Sequence, residues 1–159
     1  MIKLKRLGIL IAIFAIFLTM SMNAETFKHF KMTAQPSKSS IKAGEEAYIK
    51  VNIDINKYYY TYSFLDQTNS EGIGPTVSEI GISPNTSFET VKTLFVDKPG
   101  RKYDEGFEQN IDYYKGKAEF LLKVVAKKDV DFSKSKIYVS YIIQLCDTSS
   151  CLPPEEFKS

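Results

Sequence analysis

The residues with the clearest chemical potential are two cysteines, Cys146 and Cys151, the only ones in this 159-residue chain. Asp147-Thr148-Ser149-Ser150 lies between them as a polar turn, and Leu152-Pro153-Pro154 follows. A turn of that length brings two Cα atoms within the ~4.4–6.8 Å that a disulfide spans, and the even count fits pairing with each other. The prolines stiffen the exit and offer no N–H there. As a staple the pair is poorly placed: closing a loop of about six residues stabilises by only ~2 kcal/mol in the chain-entropy account, against ~4–5 for a loop of a hundred. As an exchange site it is well placed, because exchange requires attack on an accessible sulfur. No Lys, Arg or His lies between the cysteines, and Asp147 adjoins Cys146. A neighbouring carboxylate disfavours a thiolate. The reduced pair is therefore expected to react slowly with small thiols and quickly only inside a docked complex.

The N-terminus bears on the redox compartment. Lys3, Lys5 and Arg6 precede an uncharged run from Leu7 to Ala24 with an apolar core, the pattern of a secretory signal peptide, with Ala24 expected as its last residue. An uncleaved membrane anchor is the alternative, since the run is close to the ~18 residues that span a bilayer. Export would place the cysteines where disulfides persist. The exported part, Glu25 to Ser159, is long enough for one domain with a real core. The chain has 21 Lys and Arg against 19 Asp and Glu. Removing the three basic residues of the signal leaves 18 against 19 and no basic stripe, so nucleic acid is not an expected partner.

The elements that would position the cysteines read as strands. Ala47, Ile49, Val51, Ile53 and Ile55 alternate with polar residues, the period of a half-buried strand. Tyr58, Tyr60, Tyr62 and Phe64 continue the alternation on one expected face. Ala118, Phe120, Leu122 and Val124 follow a turn at Lys115-Gly116, and Ile137, Val139, Tyr141, Ile143 and Leu145 form the last clear strand. Weaker candidates are Phe27–Met32, Thr76–Ile80 and Phe88–Phe95. No good 3.6-residue repeat is present, and Pro36, Pro75, Pro84 and Pro99 fall between the apolar runs. About seven short strands separated by turns predict an all-β, immunoglobulin-like sandwich. Side chains alternate faces along a strand, so Cys146 is expected to point away from the main core or to lie at the sheet's rim. Asp97 to Ile111 is the longest weakly patterned stretch and reads as a long, functional loop.

Other chemistries find little support. His29 is the only histidine and no nucleophile motif accompanies it, which argues against a Ser-His-Asp triad. Two cysteines and one remote histidine make a weak zinc site, and no metal or cofactor is expected. Gly72-Ile73-Gly74-Pro75 lacks the spacing of a phosphate loop. The tyrosine stripe fits cross-strand packing. Phe107 fits a contact under its loop, and Asp104 and Glu105 fit a solvated face.

Three stretches, in order, carry a resemblance: Tyr59-Tyr60-Thr61-Tyr62; Tyr103-Asp104-Glu105-Gly106-Phe107 with Tyr114-Lys115-Gly116-Lys117-Ala118-Glu119-Phe120; and Cys146 to Pro154. Together they resemble the N-terminal periplasmic domain of the thiol:disulfide interchange protein DsbD. The resemblance implies an immunoglobulin-like fold with the cysteines at one end and an electron relay, with thioredoxin-like periplasmic proteins as partners, in which the domain takes electrons from a thioredoxin-like donor and reduces periplasmic disulfide proteins. It implies that Cys151 forms the mixed disulfide and Cys146 resolves it. It also implies that a cap loop, Asp104 to Phe107, shields the pair through Phe107, and that Tyr60 and Tyr62 line the site. Asp104 and Glu105 would then manage the cysteines' protons. Four residues separate the cysteines, one fewer than in the family's best-known member. Gly106 intervenes before Phe107, and the closing strand after the prolines is expected to be shortened or absent. No segment corresponds to the membrane electron channel, so a separate membrane electron donor is implied, with no small-molecule substrate. The reading from another class is a non-enzymatic exported binding or assembly domain with a structural disulfide.

Overall fold

The computed structural model describes residues 26–159. The expected signal segment, 1–24, lies outside the described residues. After one helical turn, α1 (Thr26–His29), thirteen strands follow: β1 (Phe30–Pro36), β2 (Ser40–Ile41), β3 (Glu46–Ile55), β4 (Tyr60–Tyr62), β5 (Glu79–Ile82), β6 (Phe88–Phe95), β7 (Gly100–Asp104), β8 (Gln109–Tyr114), β9 (Lys117–Ala126), β10 (Val130–Asp131), β11 (Val139–Ile143), β12 (Leu145–Cys146) and β13 (Glu155–Lys158).

The strands build an immunoglobulin-like β-sandwich in which every named pairing is antiparallel. One layer runs β1-β3-β9-β6. The other is made by β13-β11-β5 and β12-β4-β8-β7, while β10 and β2 form a short ribbon. The alternation read from the sequence is what holds the layers together. Ala47, Ile49, Val51, Ile53 and Ile55 of β3 and Ala118, Phe120, Leu122 and Val124 of β9 are all buried, as are Val139, Tyr141 and Ile143 of β11. Phe120 sits at the centre, fully buried, with edge-on rings of Phe64 at 4.8 Å and Tyr114 at 5.1 Å.

The last long apolar run is two strands. β11 pairs with β13 and β5, whereas β12, one residue later, pairs with β4. Gln144 marks the step and its Nε2 donates to the Leu152 carbonyl at 3.1 Å. The closing strand, which the sequence suggested was shortened or absent, is present as the four residues of β13. It is held because Phe157 is buried against Phe30 at 4.6 Å and pairs opposite Tyr141. The expected long loop is also corrected: residues 100–114 form the β7–β8 hairpin. Its polar residues fall on both faces of an edge, which hides the strand period, and Gln67 supports it by bonding both backbone groups of Asp112 and accepting from Gln109 Nε2.

Removing the Phe120 ring leaves a void between the layers. Phe120→Ala is expected to lower unfolding stability by about 3–5 kcal/mol, measured by denaturant titration; a loss under about 1 kcal/mol would contradict this placement of the core.

Candidate functional site

The register of the β12-β4-β8-β7 sheet decides what the cysteines meet. Residues paired across an antiparallel ladder share a face. Leu145, Thr61 and Tyr114 pair in a row, and all three are buried. Leu145 and Tyr114 belong to the main core. The neighbouring row on the opposite face pairs Cys146 with Tyr60, and the same face carries Tyr62, Tyr113, Ile111, Lys102 and Asp104. Thus one face of the sheet closes the sandwich and the other carries the site.

Cys146 and Cys151 are joined by a disulfide and face each other across an isolated antiparallel bridge, with Cα atoms 3.9 Å apart. Leu152 N–H donates to the Leu145 carbonyl at 2.8 Å and Asp147 N–H to the Ser150 carbonyl at 2.9 Å. These bonds flank the pair, which makes it the non-hydrogen-bonded kind, in which the backbones approach most closely. The turn is tied by Asp147 Oδ1, which accepts from Ser149 N–H at 2.7 Å, Ser149 Oγ at 2.8 Å and Ser150 N–H at 2.8 Å.

The two sulfurs live in different surroundings. Cys146 is fully buried, in a small cluster of its own with Tyr62 and Ile111, against which Tyr60 and Phe107 pack. Cys151 is exposed. It lines a cleft of about 410 Å³ with Tyr60, Tyr62, Lys102, Asp104, Glu105 and the Asp147–Ser150 turn. The rings interlock edge to face: Tyr60 on Tyr62 at 5.5 Å, Tyr62 on Phe107 at 5.9 Å, and Tyr60 on Tyr113 at 5.8 Å. The cap turn is fixed locally by Gly106 N–H donating to Asp104 Oδ1 at 3.1 Å, and Glu108 adopts a left-handed φ of 52° to complete it.

Lys102 crosses this face. Its Nζ stands 3.8 Å above the Tyr60 ring centroid and 3.5 Å from Asp104 Oδ2. Burial draws the ammonium's pKa down, but Tyr60 and Asp104 more than offset this, and it is raised overall. The Tyr62 phenol is pushed up, first by burial and then by the Tyr60 hydroxyl 3.5 Å away and by Asp104. Both groups keep their ordinary neutral-pH forms, ammonium and phenol. Among the described residues, no three His, Cys, Asp or Glu side chains converge as a metal site.

The sequence-derived site residues therefore come together: Tyr60, Tyr62, Asp104 and Glu105 share the cleft with Cys151, and Phe107 packs against the cluster that encloses Cys146. Three expectations change. Cys146 does point away from the main core, but it is not at an open rim, because the aromatic cluster covers that face. Tyr58 does not extend the stripe: β4 begins at Tyr60, and the Tyr58 ring is exposed beneath Lys57 Nζ at 4.8 Å. Phe64 leaves the stripe as well and stacks on Tyr141 in the main core, 5.3 Å away. Sequence reasoning missed Lys102 and Tyr113. The available signal was the Lys102/Asp104 spacing of two, which puts both side chains on one strand face.

The Asp147 carboxyl is held below its ordinary value of 3.8 by the Ser149 and Ser150 amides and the Ser149 hydroxyl. A depressed folded pKa means the turn gains from the carboxylate above the unfolded value and loses that gain as pH falls through the lower folded one. Amide exchange at Ser149 and Ser150, followed by NMR, is expected to be slow relative to the unprotected intrinsic rate at pH 5 and to lose protection as pH falls through the depressed folded value, below 3.8. Protection unchanged down to pH 2 would contradict the role of Asp147.

The family model described as thiol:disulfide interchange protein DsbD, N-terminal, matches residues 29–158. No curated protein matches the chain. A solved complex between the DsbD N-terminal and PilB N-terminal domains from Neisseria meningitidis contains a similar chain at 16% identity and a TM-score of 0.51, covering 86% of this chain and 84% of that one. The N-terminal periplasmic domain of ScsB from Proteus mirabilis is similar at 14% identity and a TM-score of 0.52, covering 82% of this chain and 44% of that chain. At these identities the structural likeness speaks for the fold. The family match spans nearly all of the described sandwich, its cap hairpin and its disulfide, and the chain belongs to the DsbD N-terminal family of thiol–disulfide interchange domains.

Proposed function

We propose that this domain relays electrons in the periplasm through its Cys146–Cys151 disulfide, from a thioredoxin-like donor to periplasmic disulfide proteins, with a membrane protein as the ultimate electron source. The observation that carries this reading is the asymmetry of the disulfide: one sulfur is sealed under aromatic rings and the other opens into a cleft. Exchange proceeds by attack of a thiolate on one sulfur while the other leaves. The difference in exposure supports Cys151 as the sulfur attacked and Cys146 as the one that leaves; in the outward step Cys151 attacks the acceptor's disulfide and Cys146 then attacks Cys151 to release the reduced acceptor.

In this scheme the β7–β8 turn is the gate. Phe107 lies against Tyr62 at the edge of the Cys146 cluster, and a docking partner displaces it. Asp104 and Glu105, on the cleft wall, exchange protons with the sulfurs, and Tyr60 and Tyr62 present the surface on which the partner's active site rests. The chemistry needs neither metal nor cofactor, nor a small-molecule substrate or nucleic acid. The Neisseria meningitidis complex, in which a DsbD N-terminal domain meets a PilB N-terminal domain, supports a protein as the partner.

The test is a trap. With Cys146→Ala, the Cys151 thiolate is expected to attack a purified thioredoxin-like domain whose resolving cysteine is removed and whose remaining cysteine carries a thionitrobenzoate disulfide, releasing thionitrobenzoate and accumulating a mixed disulfide that is visible on a non-reducing gel and lost with dithiothreitol. Cys151→Ala is expected to trap far less, since the remaining sulfur is buried. No adduct with Cys146→Ala would leave the disulfide as a structural link and end the relay reading.

A further inference from the structure

Attack on Cys151 has an electrostatic consequence at Cys146. The partner's thiolate forms a new S–S bond to Cys151 Sγ, the Cys146–Cys151 bond breaks, and its electron pair stays on Cys146 Sγ. That thiolate either takes a proton, delivered through Asp104 or Glu105 on the cleft wall, or turns back on Cys151 to release the partner. It is born in a fully buried position, among Tyr62, Ile111, Tyr60 and Phe107, none of which carries charge at neutral pH. A buried anion is destabilised unless an opposite charge stands near. The charged groups lining the adjoining cleft are Asp104 on β7, Glu105 in the cap turn, Asp147 in the cysteine turn, and Lys102 on β7. Three of the four are carboxylates and oppose the thiolate.

We infer that Lys102 is the charge-stabilising residue of the exchange step, its ammonium offsetting the thiolate that forms on Cys146. This rests on the exchange reading above. The ammonium is held in a built position. It lies 3.8 Å over the face of Tyr60, the residue whose backbone pairs opposite Cys146. A cation so placed is attracted by the ring's negative face. The Tyr113 ring stands 5.9 Å from the ammonium, edge-on to Tyr60. Tyr113 can take that place because Gly100, its partner on β7, has no side chain: a Cβ there would come within 3.1–3.3 Å of the Tyr113 ring. Asp104 completes the seat at 3.5 Å, and the Lys102 side chain is only 34% exposed. The same Asp104 binds the cap turn through Gly106 N–H, so the cation and the gate share an anchor.

The experiment follows the ionisation of Cys146 in the reduced protein by the pH dependence of its 13Cβ chemical shift. Lys102→Met is expected to raise the Cys146 midpoint by about one pH unit, a roughly tenfold loss of thiolate at a given pH. Lys102→Arg is expected to return it to within a few tenths of a unit. If Lys102 served only to hold the cap closed, its loss would admit water to Cys146 and lower the midpoint or leave it unmoved. Either of those results overturns the inference. Lys102→Gln carries the same test should the Met variant fail to fold. The two proposals fail separately. A trapped mixed disulfide with an unmoved midpoint removes only the role of Lys102, whereas the absence of any trap removes the exchange reading whatever the titration shows.

Discussion

The structure turns on a backbone contact: the close, non-hydrogen-bonded pairing of Cys146 with Cys151 at the edge of a four-stranded sheet. Two backbone bonds, Leu152 to Leu145 and Asp147 to Ser150, already hold the two residues opposite each other. The disulfide adds a covalent link where the chain is already closed, so its contribution to stability is small, ~2 kcal/mol for a loop of this size. The same bonds keep the sulfurs facing each other when the link is broken. A pair with that support is able to open and reclose without the hairpin rearranging, which a relay requires and a staple does not.

The rest of the domain provides two faces for one sheet. Leu145, Thr61 and Tyr114 turn into the sandwich, where the β3 and β9 core anchors them. Cys146, Tyr60 and Tyr113 turn outward, where the β7–β8 hairpin brings its own cover in Phe107, Lys102 and Asp104. Beneath them, the Ser78 hydroxyl bonds the Tyr62 carbonyl at 2.8 Å and Thr61 Oγ1 at 3.1 Å, satisfying polar groups that would otherwise be stranded in the interior. The floor of the site is thus buried and hydrogen-bonded, and its cover is the single turn between β7 and β8.

Much of the frame was legible from period alone. Ala47 to Ile55 and Ala118 to Val124 alternate without a break because each strand has one dry face, and both appear as strands with those residues inside. Phe88–Phe95 is a strand within those bounds. The family resemblance rested on short motifs and located Tyr60, Tyr62, Asp104, Glu105, Phe107 and the cysteines in one neighbourhood, where the fold brings them. What escaped notice depended on contacts distant in the chain. Alternation put Cys146 on the outer face correctly, but nothing local shows that a hairpin covers that face. Residues 100–114 gave no strand signal, because an edge hairpin whose outer face is itself a site carries a basic residue, an Asp and a Tyr on each side: Lys102, Asp104 and Tyr113 on one, Arg101, Asp112 and Tyr103 on the other. Lys102 was invisible for the same reason: the absence of Lys, Arg and His between the cysteines says nothing of a cation brought in from β7.

The account's central claim is that this bond is made to be exchanged, and its reduction potential tests that most directly. Equilibrated with glutathione or dithiothreitol buffers and read by mass shift after alkylation, the Cys146–Cys151 pair is expected to have a potential above about −300 mV, in the range of labile and catalytic disulfides. A value clearly below that, with the bond surviving reduced thioredoxin-like proteins, would mark a permanent cross-link and contradict the account.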